Sequence, residues 1–485
     1  KKKKETGKKT GKIRVGGLIM DSTQLLKGSI KRGIIFFMIP LLFSNIFQTL
    51  YNTADTVLIG YYLGDTSLAA MGAVTAIFDL IVGFCTGFGQ GFGIIAGQCF
   101  GARDQNRLRH AVGLSVILSA VISLGVSVLA LFGLPFLLQL LQTPADIYQP
   151  ALQYISIIAY GLIITMFYNL CAGMLRAVGD SITPLVILCI SACINVGLDI
   201  WFIAGLNMGV SGAAYATLAA QLISLIVCLL WIWIKVPVLK VQGPDFKWDK
   251  PLAYDLFSTG LAMALMSSIV SIGSVILQGG INALGTLIIA AHTAARKVAT
   301  LVMMPCASLM MALATFVAQN YGARQYERMA EGISFANRVG VYYSIGVSVL
   351  LLVGAQRIIA LISGSSDPTV LSNGGMYLLI NCPFMFVLSI LLNLRCSLQS
   401  MGIKAVPVVS SVIECVSKIV FTFAIIPALQ YFGVCICEPI IWMIMAGYLA
   451  WNYMHSSLLL SHEIKPVLWG FFHRSSSSEM FSERS

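Results

Sequence analysis

The sequence is short of charged residues for its length. Asp, Glu, Lys and Arg make up 11% of its 485 residues, whereas average soluble proteins contain about 25%. A chain of this length would ordinarily form about three soluble domains of roughly 150 residues each. The 31 basic and 20 acidic residues are too few to cover three polar surfaces. The composition therefore excludes a set of soluble domains, and it also excludes a disordered chain, which needs abundant charge and few apolar residues.

Residues that form disulfides or bind metals are few and scattered. The twelve Cys include no Cys-x-x-Cys motif, and the nearest two are Cys435 and Cys437. The five His are dispersed along the chain. Neither pattern has the spacing of a disulfide framework or a zinc site. We therefore predict free, buried cysteines, no secreted disulfide scaffold and no resident cofactor.

Apolar residues are abundant instead. They make up 58% of the chain, and the mean hydropathy is +0.86. A helix that crosses a bilayer needs about 20 mostly apolar residues. The apolar runs and the breakers between them predict an all-α polytopic membrane protein with twelve transmembrane helices, here called spans 1 to 12. The predicted spans lie near residues 34–60, 66–97, 110–133, 149–175, 182–204, 209–235, 252–281, 285–317, 332–361, 373–395, 405–429 and 434–460.

Short connections that contain helix-breaking residues separate the spans. Gly64-Asp65 separates spans 1 and 2, Gly133-Leu134-Pro135 follows span 3, and Gly243-Pro244 lies between spans 6 and 7. The first apolar run begins at Ile34 and is longer than the roughly 7 to 15 residues of a signal-peptide core. We therefore expect no cleavable signal peptide.

Basic residues are distributed unequally between the connections. The odd-numbered connections hold Arg357 and almost no other basic residue. Short loops rich in Lys and Arg stay in the cytoplasm, so we predict a multi-pass protein of the plasma membrane with both termini inside. The basic residues of the even-numbered connections and the C-terminal tail are Arg103, Arg107, Arg176, Lys235, Lys240, Lys247, Lys250, Arg324, Arg328, Lys404, Lys465, Arg474 and Arg484.

The N-terminal tail, residues 1–33, carries most of the formal charge of +11. It holds eleven of the 31 Lys and Arg, and the rest of the chain is close to +2. No basic surface for nucleic acid remains. Two interpretations of the tail stay open. It is a solvated cytoplasmic segment near anionic lipid, or residues 1–19 are not native, because Met20-Asp21-Ser22 resembles an ordinary start of translation.

The two halves of the chain repeat each other. Three motifs recur in the same order and at a nearly constant distance along the chain, which indicates two halves of six spans each. The recurring motifs are Gly101-Ala102-Arg103 with Gly322-Ala323-Arg324, Leu175 and Gly179 with Leu398 and Gly402, and Gly209-Val210 with Gly433-Val434.

Because six is even, each half begins and ends on the same side of the membrane. The halves are therefore parallel repeats related by an axis along the membrane normal. This arrangement is typical of secondary transporters, in which two bundles rock around a central site. The predicted domains are an N-lobe at 34–235 with spans 1 to 6, a cytoplasmic linker at 236–251, a C-lobe at 252–460 with spans 7 to 12, and a C-terminal tail at 461–485.

Three ordered segments resemble the multidrug and toxic compound extrusion (MATE) family, over roughly residues 30–460. The segments are Pro40…Gln48-Thr49-Leu50-Tyr51-Asn52…Asp55-Thr56…Gly60, the end of the Gly-rich span 2 at Gln98-Cys99-Phe100-Gly101-Ala102-Arg103, and Asn195-Val196-Gly197-Leu198-Asp199. The resemblance implies a V-shaped antiporter of twelve helices. Such an antiporter exports amphipathic, often cationic small molecules against an inward flow of protons or sodium ions. We expect it to act as a monomer in the lipid bilayer.

Three alternative functions would each require a different feature of the sequence. A flippase for a lipid-linked precursor, from the same superfamily, requires a more cationic cavity, and Arg296, Lys297 and Arg395 keep this alternative open. An intramembrane enzyme requires a cluster of His, Asp or Glu near an interface, and the sequence shows none. A channel is disfavoured by the two-lobed repeat.

Acidic residues inside spans are the strongest candidates for function, because charge within a bilayer is costly. Asp55 lies late in span 1 and Asp199 late in span 5, both toward the outer side. Asn195 precedes Asp199 by four residues and so shares its helix face. Thr217 in span 6 offers a hydroxyl group. The resemblance implies that these four residues form a cation-binding site in the N-lobe.

The chemistry of these four residues fits two coupling ions. Carboxylate, amide and hydroxyl oxygens are the ligands that a hard cation such as sodium prefers. Two neighbouring carboxylates also repel each other and share one proton. The sequence does not choose between proton and sodium. In the structural alternative, Asp55 caps a break in span 1, while Asn195 and Asp199 tie helices together.

Other polar residues inside spans are candidates for a substrate cavity. Asp79, near the centre of span 2, either adds negative potential to a cation pocket or bonds a neighbouring helix. Gln278 lies close to where some family members carry a carboxylate in span 7, and the lack of an acid there favours the N-lobe cation site. Arg296, beside Lys297 in span 8, either faces the cavity and disfavours a purely cationic substrate, or pairs with an acid such as Asp255.

Span 11 contains two further candidates for the cavity. Glu414 and Lys418 are four residues apart, a spacing at which the two charges neutralise each other on one helix face. We interpret this pair first as structural and second as a gate or a substrate contact.

Pro40 and several methionines complete the set. Pro40 removes a helix hydrogen bond in span 1 and matches the bending point of the family, so it is either a hinge or an ordinary kink. Flexible methionines adapt to varied ligands. The candidates for the cavity wall are Met263, Met266, Met303, Met304, Met310, Met311, Met385 and Phe384.

Overall fold

A computed structural model gives the fold and describes residues 12–15, 18–21, 25–140 and 143–462. Expectations about residues 1–11 and about the tail from residue 463 lie outside the described residues. Before the first helix, two short strands, β1 (Lys12–Val15) and β2 (Leu18–Asp21), pair antiparallel. The rest of the described chain is almost entirely helical.

The apolar runs of the sequence form fourteen α-helices among the described residues. Their bounds are α1 Ile30–Gly101, α2 Gln105–Leu140, α3 Ala145–Tyr160, α4 Leu162–Ala177, α5 Ile182–Asp199, α6 Gly209–Lys235, α7 Lys250–Asn282, α8 Thr286–Gly322, α9 Tyr326–Ser363, α10 Pro368–Asn381, α11 Met385–Ser400, α12 Ala405–Val420, α13 Ile426–Met454 and α14 Ser457–Ser461. Short 3₁₀ turns occur at Pro237–Leu239, Gly243–Phe246 and Cys382–Phe384, and π-helical turns at Ile200–Gly205 and Phe421–Ile425.

These helices account for the twelve predicted spans. Nine helical stretches in the described chain are long and apolar enough to cross a membrane, and α3 with α4, bent by 50°, makes a tenth. The two longest stretches each contain a residue with left-handed backbone, Gly64 inside α1 and Gln430 inside α13. Dividing these two stretches there gives twelve spans. The predicted all-α class is confirmed for the membrane bundle.

The predicted repeat is also visible in the backbone. Left-handed residues occur at equivalent places in the two halves, with the same spacing as the repeated sequence motifs. Span 5 and span 11 both end in a π-helical turn. The left-handed pairs are Gly64 with Gly285, Arg103 with Arg324, Gly179 with Gly402, and Asn207 with Gln430.

One predicted connection is wrong. Gly133-Leu134-Pro135 was expected to end span 3, but α2 continues through it to Leu140. Proline removes one backbone donor, and a bilayer offers no water to the groups of an unwound segment, which favours the continued helix. Pro135 therefore lies inside the helix and not beyond its end.

The described residues form two hydrophobic cores, one in each half, and the first turns of spans 1 and 7 pack into the core of the opposite half. The core of the C-terminal half includes Ile34, Phe37 and Leu41 from the start of span 1. The core of the N-terminal half includes Leu252 and Leu256 from the start of span 7. Spans 1 and 7 thus link the two lobes, and a shift between the lobes must bend or tilt both helices.

The outer surface of the bundle suits contact with lipid. Large apolar side chains such as Phe132, Val353 and Leu361 are more than four-fifths exposed. In a soluble monomer such an extensive apolar surface would be unusual. All twelve cysteines are free; nine of them are buried as predicted, whereas Cys189, Cys193 and Cys415 are not.

Candidate functional site

Asp55 and Asp199 are brought together in the N-lobe by an amide between them. Asp55 lies two turns before the break at Gly64, and Asp199 is the last α-helical residue of α5 before its π-helical turn. With the Asn195 amide nitrogen turned toward the acids, Nδ2 donates to Asp55 Oδ1 at 2.7 Å and to Asp199 Oδ2 at 3.0 Å. Asn195 and Asp199 are almost fully buried, and Asp55 is half-buried. Spans 1 and 5 therefore meet at the predicted residues.

Two tyrosines lie next to this acid pair. Tyr51 is one helical turn before Asp55 and shares its helix face, and Tyr154 of α3 lies close to both carboxylates. The side chain of Thr217 lies near the hydroxyl group of Tyr51. Thr217 thus reaches the site through Tyr51. The resulting pocket is called the N-lobe acid site: Asp55, Asn195, Asp199, Tyr51, Tyr154 and Thr217.

The N-lobe acid site has the oxygen atoms that a proton or a sodium ion requires as ligands. Asp199 Oδ1 is buried and has no hydrogen-bond partner, which leaves one acceptor free. In the part of the chain that the structure describes, neither Asp55 nor Asp199 pairs with a Lys or Arg. Two adjacent carboxylates without a cation are costly to bury. The residues present therefore fit an exchangeable cation, with Asn195 able to offer its amide oxygen after rotation of the amide.

A second feature is a cavity of about 500 Å³ between the two lobes, here called the central cavity. Spans 2, 7, 8 and 10 form its wall. Asp79 lies on the span 2 side, where it is exposed to the cavity, and Arg395 lies on the span 10 side. Of the predicted methionines, the wall contains Met263, Met266, Met310 and Met311.

Arg395 belongs to a chain of charges that extends away from the cavity. Its Nη2 lies 3.5 Å from Glu414 Oε2, and its Nε donates to Ser410 Oγ at 3.1 Å. On the other side of Glu414, Lys418 Nζ donates to Oε1 at 2.9 Å and to Ser274 Oγ at 3.1 Å. Glu414 and Lys418 therefore form the predicted pair, and they reach the cavity wall through Arg395.

Arg296 meets an acid that the sequence analysis did not single out. Its Nη1 donates to Glu438 Oε1 at 2.7 Å, and the hydroxyl of Tyr377 donates to Glu438 Oε2 at 3.0 Å. His292 packs edge-on against Tyr377 with ring centroids 5.0 Å apart. Arg296 is thus part of a cluster between spans 8, 10 and 12, here called the C-lobe ionic cluster: Arg296, Glu438, Tyr377 and His292.

The remaining candidates lie elsewhere. Gln278 is exposed and donates to Asn282 Oδ1 at 2.8 Å in its own helix, outside the residues that the structure places in the cavity wall. Lys297 is exposed. Asp255, offered as a partner for Arg296, lies 3.4 Å from Lys404 Nζ instead. Pro40 lies within a stretch of α1 whose backbone stays helical, and its carbonyl accepts a hydrogen bond from Ser44 Oγ at 2.9 Å.

Sequence reasoning missed Tyr51, Tyr154, Glu438 and Tyr377. Glu438 satisfies the criterion used for Asp55, since it is an acid inside a predicted span. Tyr51 is four residues before Asp55 and so shares its face. Tyr154 and Tyr377 correspond to each other under the repeat that the sequence motifs define. Comparing the two halves position by position would have found both tyrosines.

The two lobes are locked together at one end of the central cavity. Gln98 Nε2 in span 2 donates to the carbonyl oxygen of Ser400 in the other half at 2.8 Å. Gln319 Nε2 in span 8 donates to the carbonyl oxygen of Ala177 at 2.8 Å. These bonds are equivalent under the repeat, because Gln98 corresponds to Gln319 and Ala177 corresponds to Ser400. The bundle is therefore closed at the end where the even-numbered connections lie.

The sequence is similar to those of known proteins. The MatE family model matches residues 40–201 and 262–424 of the chain. The probable multidrug resistance protein YoeA of Bacillus subtilis is 30% identical over 339 residues, which cover 67% of this chain and 72% of that protein. The probable multidrug resistance protein NorM of Thermotoga maritima is 22% identical over 393 residues, which cover 79% of this chain and 83% of that protein.

Solved structures show the same fold. One, described as the outward-facing conformation of a multidrug resistance MATE family transporter of the MOP superfamily, has a TM-score of 0.83 at 24% identity and covers 90% of this chain and 99% of its own. Another, described as MATE in the bent conformation, has a TM-score of 0.85 at 24% identity and covers 92% and 99%. At this identity the likeness establishes the fold.

Proposed function

The chain belongs to the MatE family, and from this premise we propose that it is a cation-coupled antiporter that exports amphipathic, mainly cationic small molecules by alternating access. Its family consists of multidrug efflux transporters, so the chain is a multi-pass membrane transporter and not an intramembrane enzyme. We place it in the plasma membrane with both termini in the cytoplasm, because the basic connections all lie on one side.

The N-lobe acid site carries the proposal of cation coupling. Its two carboxylates share one amide donor, and the described chain gives them no basic partner. A proton or sodium ion relieves their repulsion, and its departure restores the repulsion. A ligand shifts a conformational equilibrium only by its different affinity for the two states. Ion exchange at this pair therefore supplies the free energy that favours one packing of the lobes over the other.

The lock between the lobes indicates which state the structure represents. The reciprocal bonds of Gln98 and Gln319 close the end of the bundle that holds the even-numbered connections. With those connections in the cytoplasm, the structure is outward-facing. The coupling ion then enters the N-lobe acid site from outside, and substrate leaves the central cavity on the same side.

The charges at the central cavity support export of amphipathic compounds over flipping of a lipid-linked precursor. Asp79 contributes a negative charge to the wall, and Arg395 on the opposite side lies 3.5 Å from Glu414 Oε2. A pyrophosphate headgroup requires a strongly cationic surface. Four methionines line the same wall and suit varied apolar groups.

Transport in liposomes tests the proposed function. We expect purified protein to move a fluorescent lipophilic cation against its gradient when a proton gradient or a sodium gradient is imposed, each tested separately. Protein-free liposomes and gradients collapsed by an ionophore are the controls. Movement that ignores both gradients would contradict coupling and favour the flippase or a passive route.

Replacing Asp79 by Asn tests the electrostatics of the cavity. An exposed charge pair contributes up to about 1 kcal/mol, so we expect about a fivefold loss of affinity for a monovalent cationic substrate. Binding isotherms of the cation and of a neutral analogue of similar size measure the effect. The neutral analogue should bind the variant and the wild type equally. An equal loss for both ligands would show that Asp79 supports the helix packing and not cation binding.

A further inference from the structure

The acidic residues of the two lobes differ in whether they pair with a basic side chain. In the N-lobe, Asp55 and Asp199 lie together, and neither pairs with a Lys or Arg of the described chain. In the C-lobe, Glu414 lies 2.9 Å from Lys418 Nζ, and Glu438 lies 2.7 Å from Arg296 Nη1. These two acids of the C-lobe are thus already paired with basic side chains of the same chain.

The repeat places one of these basic side chains at the position of the N-lobe acid site. The left-handed pairs Gly179 with Gly402 and Asn207 with Gln430 flank spans 5 and 11 and have identical spacing, so the two spans align without a gap. In this alignment, Asn195 corresponds to Lys418, and Asp199 corresponds to Thr422. Lys418 is 4% exposed. An ammonium group therefore replaces the amide that bridges the two aspartates, and a hydroxyl replaces one carboxylate.

The second basic side chain lies next to the equivalent tyrosine. Tyr154 lies near the N-lobe aspartates, and Tyr377, its counterpart in the repeat, donates to Glu438 Oε2. Both oxygens of Glu438 are used, one by Arg296 and one by Tyr377. The Arg296 guanidinium, 2.7 Å from Oε1, therefore already supplies the positive charge that an exchangeable ion would bring to Glu438.

We propose that Arg296 and Lys418 are built-in cations that take the place of a coupling ion in the C-lobe, so that ion exchange is confined to the N-lobe. This inference rests on the proposed antiport function and adds its stoichiometry, one exchanging acid site per chain. The C-lobe is held in a permanently neutralised state. The driving ion then changes the energy of one lobe while the other serves as a fixed partner.

Arg296→Gln in an Asp55→Asn, Asp199→Asn background tests the proposal. The wild type, the double Asn variant and the triple variant are compared by counting bound sodium ions with titration calorimetry and bound protons with a pH-indicator titration. We expect the double Asn variant to bind no sodium ion in its spans and to keep only the proton titration of other acids such as Asp79. The triple variant should regain one ion, because Glu438 is 13% exposed and has lost its cation.

Two matched variants show whether the regained ion is bound by Glu438. Arg296→Lys keeps the attached charge and should regain no ion in the same background, whereas adding Glu438→Gln to the triple variant should remove the regained ion. A saturable sodium ion in the double Asn variant, or a folded triple variant with no regained ion, would overturn the proposal. If the triple variant does not fold, the ion count of the double Asn variant still tests whether ion exchange is confined to the N-lobe. Absence of gradient-driven transport in the wild type would instead refute the antiport function. The ion count would still test, independently of transport, whether ion binding is confined to the N-lobe.

Discussion

We expect gradient-driven transport to fall to the background level when either Asp55 or Asp199 is replaced by Asn. Each substitution keeps the size of the side chain but removes one of the two carboxylates that the Asn195 amide bridges. The remaining carboxylate no longer has a neighbouring charge to repel it. Binding and release of the ion then cease to alter the balance between the two packings of the lobes.

The expected loss of transport is large because, in the proposed scheme, the N-lobe acid site is the one site at which the coupling ion binds. Coupling free energies of about 3 kcal/mol correspond to about a 150-fold effect on affinity. Removing a term of this size leaves accumulation at a few per cent of the wild-type level or below. Uptake of a fluorescent cation into liposomes under an imposed ion gradient measures it. Binding of the same cation to the detergent-purified variant shows separately whether the central cavity remains formed.

Asp65→Asn is the matched control for these variants. Asp65 directly follows the break at Gly64 and is exposed, so the substitution makes the same change of charge near the same end of span 1. We expect wild-type accumulation in this variant. Wild-type accumulation in both Asp55→Asn and Asp199→Asn would refute the N-lobe acid site as the coupling site, whereas a loss confined to one of them would assign coupling to that carboxylate alone.

The sequence predicted the spans and the repeat because both depend on local patterns. Runs of apolar residues require only a count along the chain, and the repeat requires only equal spacing. The connection at Gly133-Leu134-Pro135 was predicted wrongly because breaker residues end helices in water, where backbone groups find other partners. The Glu414–Lys418 pair was predicted correctly for the same local reason, since four residues place two side chains on one face.

Contacts between distant spans could not be predicted from spacing. Nothing in the order of residues indicates that Arg296 meets Glu438, 142 positions away, and not Asp255. The grouping of Asp55 with Asn195 and Asp199 was predicted through a family resemblance, not through geometry. The bridging role of the Asn195 amide required coordinates, because the amide could equally have offered its oxygen to an ion. The structure therefore shows which charges neutralise each other. It also shows which acids have no basic partner among the described residues.

The lock between the lobes leads to the second large prediction. Gly101 and Gly322 occupy equivalent positions, about one helical turn after Gln98 and Gln319. A Cβ added at Gly101 would overlap the carbonyl oxygen of Gln319, and one added at Gly322 would overlap the carbonyl oxygen of Gln98. Each obstacle is backbone, which cannot turn away as a side chain can. We therefore expect Gly101→Ala and Gly322→Ala to force the lobes apart at this end.

Forcing extra atoms into a packed contact costs about 1 to 3 kcal/mol, which changes the ratio of the two conformations about 5- to 150-fold. Hydrogen exchange of residues 98–108 and 319–328 measures the opening, and we expect faster exchange in both variants together with slower transport. Gly125→Ala is the control, because a Cβ at Gly125 in span 3 meets no atom within 4 Å. Alanine favours a helix over glycine by about 1 kcal/mol, so this control should not loosen the bundle. Unchanged exchange in Gly101→Ala and Gly322→Ala would mean that this end does not close tightly in the membrane, and the outward-facing assignment would fail with it.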